Sequence, residues 1–146
     1  MAPSRWKGFR PRDGSCAERS PSQFPPERST AARVGTVFES GAPEAKVDIA
    51  ILGDGYREAE HSKFADDAAR AAGYLFSVEP LQSRRRDFNV RLVFAASAES
   101  GVTDHYLGLK KDTALRCAYG SAAAERTLVA ADNRAVREIA SEVGVT

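Results

Sequence analysis

V-D-I-A-I-L-G-D-G-Y, residues 47–56, decides the fold. Val47 to Leu52 is a short, largely apolar run that ends abruptly in Gly53-Asp54-Gly55-Tyr56. A run of that length bounded by turn residues predicts a buried strand covered on both faces, the signature of a parallel sheet. A helical pattern follows from Glu58 to Ser77, with Phe64, Ala68, Ala71, Leu75 and Val78 spaced to share one face. Glu60, Lys63, Asp66, Asp67 and Arg70 fall on the opposite face. Early acids Glu58 and Glu60 suit the positive end of the helix dipole. Glu79-Pro80 marks a stop, because the residue before proline disfavours helical dihedrals. Phe88 to Ala96 (F-N-V-R-L-V-F-A-A) then predicts a second strong strand. Strand, crossover-length helix and strand make a β-α-β unit with parallel strands and a right-handed crossover.

Val34 to Phe38 reads as a short edge strand. Residues 97–125 read as a long irregular loop, Arg126 to Ala131 as a third strand, and 134–143 as a helix capped by Asp132 or Asn133. The expected fold class is therefore α/β, a partial layered sheet in the order β-α-β-loop-β-α. Residues 34–146 form the expected domain. Residues 1–33 read as a disordered leader, basic and proline-rich, with seven Arg/Lys against three acids in a chain of net charge +1. So small a total charge gives no reason to expect nucleic acid or an anionic membrane as partner. No apolar run approaches the roughly 20 residues of a membrane span, and the N-terminus has no apolar signal core. Cys16 and Cys117 lack any C-x-x-C or disulfide framework and read as free thiols.

Ligands of parallel α/β sheets collect beyond the carboxyl ends of the strands. Two loops leave such ends, Gly53-Asp54-Gly55-Tyr56 and Ser97-Ala98-Glu99-Ser100-Gly101, and parallel strands bring them to the same edge. Gly53 and Gly55 permit sharp turns. Asp54 can cap the helix, coordinate a cation or orient a polar partner. Glu99 and Ser100 supply a carboxylate and a hydroxyl, and His105 lies in the long loop within possible reach. The site candidates are Gly53, Asp54, Gly55, Tyr56, Ser97, Glu99, Ser100, Gly101 and His105. Known phosphate motifs are excluded: G-x-G-x-x-G fails at Glu58, and no G-K-[ST] follows the glycines. His61 and His105, the chain's two histidines, are not in an H-E-x-x-H pair, so that metal site is not formed. Arg84-Arg85-Arg86 reads as a solvated connector.

The blocks V-D-I-A-I-L-G-D-G-Y, K-F-A-D-D-A, L-F-S-V-E-P, R-R-D-F-N-V and S-A-E-S-G-V resemble, in order and spacing, the amino-terminal half of the IgA-peptidase family of zinc metallopeptidases, metallopeptidase family sixty-four. D-T-A-L at 112–115 and E-R-T-L-V-A-A-D-N at 125–133 extend the resemblance. It implies peptide-bond hydrolysis of a peptide or protein substrate by the full-length protein, with zinc as cofactor and a secreted or cell-surface location. It also implies that the zinc-binding H-E-x-x-H lies downstream of residue 146, so that this chain is a fragment, inactive alone and without a metal of its own. Catalytic residues are accordingly expected to be none in this chain, and the loop residues adjacent to a site at most. Arg57 stands where the family usually has a small hydroxyl residue. The competing expectations are a small α/β module holding a cation or ligand between the Asp54 and Glu99 loops, and a structural or interaction domain.

Overall fold

The computed structural model describes residues 31–120 and 126–144. Residues 1–30 of the expected leader lie outside the described residues, but its last residue, Arg33, opens the first strand, and Ala32 packs against the core. The elements are β1 (Arg33–Phe38), β2 (Val47–Leu52), α1 (His61–Leu75), β3 (Phe88–Phe94), β4 (Thr103–Asp104), β5 (Cys117–Tyr119), β6 (Val129–Ala130) and α2 (Asn133–Ser141).

The fold is mixed α/β, and the described residues form two three-stranded sheets, ordered β1-β3-β2 and β4-β5-β6. β2 and β3 pair in parallel, Val47 beside Phe88 through Leu52 beside Val93, as the crossover helix requires. β1 runs antiparallel to β3 on its other side. The centre of the main sheet is therefore β3, and β2 is an edge. β3 takes that place because its residues are apolar toward both faces: Val90, Leu92 and Phe94 lie on one, Val93 and then Ala95 on the other, all buried. Asn89, also buried, ties the sheet to the β1–β2 connection, accepting from Ser40 N at 2.9 Å and donating to Gly41 O at 3.1 Å.

Arg126 to Ala131 does not supply a strand of the core sheet. Only Val129–Ala130 is extended, and it pairs antiparallel with β5 in the second sheet. The third core strand is β1. The stretch read as a long irregular loop holds β4, β5 and a tight reversal in which Asp104 and Leu109 exchange backbone hydrogen bonds, each 2.9 Å.

α1 covers one face of the main sheet. Its buried stripe is Phe64, Ala68, Ala72 and then Phe76, a strict four-residue step. The expected Ala71, Leu75 and Val78 are exposed instead, Val78 by 62%. Phe76 wins the inner position because Phe38 and Phe88 lie beneath it, with ring centroids 6.2 and 5.7 Å away. α1 begins after a single 3-10 turn, Glu58–Glu60. Glu60 accepts from the backbone N–H of Arg57 at 2.9 Å, one half of a capping box. The arginine side chain has no acceptor with which to return the other half. On the opposite face, Leu115 and Cys117 pack with Val93, Ala95 and Ile139 of α2. Asp132 caps α2 as expected, accepting from Arg134 N and Ala135 N at 3.0 and 3.1 Å.

Candidate functional site

The Gly53–Tyr56 turn and the Ser97–Gly101 loop meet beyond the carboxyl ends of β2 and β3. Ser97 N–H donates to Tyr56 O at 2.8 Å, and Gly101 N–H to Gly55 O at 2.9 Å. Glycine is required twice. A Cβ at Gly53 would stand 2.5 Å from the Phe64 ring, and one at Gly55 would strike the carbonyl of Gly101, with Gly55 already at a φ of 75°.

Asp54 is neither a helix cap nor a water-facing carboxylate. Oδ2 accepts from Thr113 Oγ1 at 2.8 Å and from Cys117 N at 2.9 Å, and Oδ1 accepts from Leu115 N at 2.9 Å. Ser97 Oγ also faces Oδ1, at 3.4 Å. One side chain thus pins residues 113–117, about sixty positions away in the chain, to the end of β2. The two backbone donors straddle Arg116, which has a φ of 52°. The left-handed turn there points the N–H groups of Leu115 and Cys117 at the same carboxylate.

Ser97 is buried and fully engaged. Its hydroxyl oxygen accepts from Gly55 N at 3.1 Å and Ala114 N at 3.0 Å. It has no adjacent imidazole, so it is not placed as a nucleophile. Glu99 closes the same layer further out. Its carboxylate accepts from Asp112 N at 2.8 Å and Lys111 Nζ at 3.3 Å, and these two bonds hold its pKa below the ordinary 4.5. Ser100 Oγ donates to Glu60 Oε1 at 3.0 Å, joining the loop to the start of α1. Tyr56 anchors the turn from the other side: its ring packs on Phe64 and its hydroxyl donates to Asp67 Oδ2 at 2.9 Å. Burial, then the Asp67 hydrogen bond and charge, raises its pKa above 10.0.

His105 is not brought to this cluster. It is exposed, beside Gly120 and Tyr119, and among the described residues its imidazole makes no hydrogen bond. His61 sets its ring edge-on against Phe94, 4.8 Å between centroids. Among the described residues no three His, Cys, Asp or Glu side chains gather to hold a metal ion. The oxygens of Asp54 and Glu99 are taken by internal donors, so the described residues do not fit a zinc site.

Residue-level reading missed Thr113, Leu115 and Cys117 as the partners of Asp54. Leu115 and Cys117 reach it through backbone N–H groups, which carry no sequence signature. The Cys117 thiol is buried against Asp54. Burial, the Asp54 charge and their hydrogen bond push it up to about 12.

No curated protein was found to match the chain. The sequence profile of the family described as IgA Peptidase M64 matches residues 36–145, a span that contains both loops, the Asp54 contacts and both helices. The chain belongs to the IgA Peptidase M64 family.

Proposed function

We propose that residues 34–144 are the bracing part of a metallopeptidase domain that hydrolyses peptide bonds in a protein substrate, and that the zinc ligands and water-activating carboxylate come from residues other than those described. The Asp54 contacts carry this reading. Its carboxylate locks two loops and the 113–117 segment into one rigid wall at the sheet edge where α/β proteins place their ligands. Rigid support of that kind is what a catalytic constellation needs from its scaffold. The same contacts weigh against a cation-binding module, because the carboxylate oxygens such a module would offer are already satisfied. Among the described residues no helix is long and apolar enough to cross a membrane, and a protein substrate reached from solvent is consistent with that.

The test is direct. The pure 146-residue chain is dialysed against zinc, assayed for bound metal, and incubated with a set of unstructured protein substrates with and without chelator. The expected result is neither stoichiometric zinc nor chelator-sensitive cleavage. Retained zinc with chelator-sensitive cleavage would refute the reading.

A further inference from the structure

The reversal that follows β4 forms an exposed prong, and both its legs rise from the candidate site. Gly101 N–H is anchored on Gly55 O, and Thr113 Oγ1 on Asp54 Oδ2. Lys111 Nζ and Asp112 N–H both donate to Glu99. Beyond these anchors the legs are stitched together. Thr103 Oγ1 donates to Lys111 O at 3.2 Å and accepts from Lys111 N at 3.0 Å, and Asp104 and Leu109 close the next rung. The tip is shaped by Asp104, whose Oδ1 accepts from Tyr106 N at 2.9 Å and Leu107 N at 3.1 Å, and by Gly108 at a φ of 65°. Even fully extended, the chain from Gly101 to Asp104 spans only about 10 Å, so the tip stays close to the Asp54 wall.

The tip carries apolar side chains that its own turn does not bury. Tyr106, Leu107 and Leu109 are 56, 71 and 50% exposed. They are nevertheless ordered, because polar backbone bonds fix the turn. The Tyr106 ring lies over Gly120, where an added Cβ would stand 2.6 Å from it. A cluster of exposed apolar residues rimmed by polar ones marks an interaction site. The rim here is cationic. Lys110 is exposed and makes no ion pair among the described residues, and Lys111 follows it. Residues 105–111 contain no acid, and Asp104 directs Oδ1 to the turn's own N–H groups.

We infer that the prong selects substrate, and that it takes an extended segment of protein in which a bulky apolar residue stands beside Asp or Glu. The apolar residue lies against Leu107 and Leu109, and the acid meets Lys110. This rests on the peptidase reading above and names the substrate class for that cleft. Both legs rise from the sheet edge where α/β proteins place their ligands, so a peptide bound there passes the tip. A tip shaped beforehand lowers the ordering cost of binding. A second copy fits less well, because two prongs packed tip to tip would bring their lysines together.

The probe is a fluorescein-labelled peptide, Gly-Ser-Asp-Leu-Glu-Phe-Asp-Ser-Gly, titrated with the 146-residue chain in the presence of chelator and followed by anisotropy. One control replaces its acids by Lys, another its Leu and Phe by Ser. Each control should bind about tenfold more weakly. Leu107→Ser should weaken the acidic probe about fivefold and leave the urea midpoint unchanged. Lys110→Glu should reverse the preference, so that the lysine probe binds more tightly than the acidic one. No binding of the acidic probe, or equal binding of the acidic and lysine probes, overturns the inference, as does a Lys110→Glu chain that keeps the acidic preference. Leu107-dependent sedimentation with phosphatidylserine vesicles in place of peptide binding assigns the tip to a lipid surface and overturns it. A Leu107-dependent dimer overturns it in favour of a second copy. Chelator makes the assay report binding without cleavage. Its failure therefore strikes the prong and leaves the bracing role of Asp54 standing, whereas retained zinc with cleavage strikes the bracing role.

Discussion

Asp54 concentrates more long-range hydrogen bonding than any other side chain described, and its replacement is correspondingly sensitive. Asp54→Asn keeps the shape but turns an amide NH2 toward donors that need an acceptor. With buried N–H groups at Leu115 and Cys117 competing for one oxygen, the expected loss is about 3 kcal/mol of folding stability. Thr113→Val removes a single donor and should cost about 1 kcal/mol. Urea unfolding of both variants checks the ratio. A near-silent Asp54→Asn would show that the 113–117 segment is held by its packing alone. The Gly-Asp-Gly-Tyr turn was legible in the sequence as a tight strand exit, and its meeting with Ser97–Gly101 follows from parallel strands. The target of Asp54 was not legible: it lies about sixty residues away, and two of its donors there are backbone N–H groups.

At the scale of the element, α1 shows where periodicity stops being informative. Phe64, Ala68, Ala71, Leu75, Val78 and Phe64, Ala68, Ala72, Phe76 are both acceptable helical stripes. The choice between them is made by Phe38, Phe88 and Val90 on the sheet, which the helix sequence does not contain. Phe76→Ala should therefore cost about 3–5 kcal/mol, whereas Val78→Ser should leave stability unchanged within about 0.5 kcal/mol. Thermal unfolding of the two variants distinguishes the stripes. Gly53→Ala tests how closely α1 approaches the turn. The added methyl meets the Phe64 ring at 2.5 Å, and an overpacking cost of about 1–3 kcal/mol is expected. β6 shows the converse case. R-T-L-V-A-A has strand propensity throughout, yet only Val129–Ala130 is paired, because its partner is the three-residue β5 rather than the longer β3.

Across the whole molecule, the surface carboxylates are arranged to resist acid less well than neutral conditions. Glu60, Asp67 and Glu99 each have a pKa below the ordinary value: 4.5 for the glutamates and 3.8 for the aspartate. The first causes are the Arg57 backbone N–H, the Lys63 ammonium and the Asp112 backbone N–H respectively. A lowered pKa means that the folded chain holds fewer protons than the unfolded chain. The stabilisation is present above the ordinary carboxylate range and is lost as pH falls through it. Urea midpoints should be level near neutrality and decline between about pH 5 and pH 3. Glu99→Gln should make that decline shallower. A decline of unchanged steepness would remove Glu99 from the account.

Cys117 turns the Asp54 contacts into a clock. Its thiol is 8% exposed and held protonated well into the alkaline range, so an alkylating reagent cannot attack it in the closed structure. Reaction must wait until residues 113–117 detach from the end of β2. In a Cys16→Ser background, the rate of labelling then counts detachments rather than thiol chemistry. It should level off as reagent concentration is raised, at the rate at which the segment opens. Asp54→Asn should speed that limiting rate far more than Phe76→Ala, which loosens the opposite face of the sheet. Equal acceleration by the two substitutions would mean that the thiol is uncovered only when the whole chain unfolds.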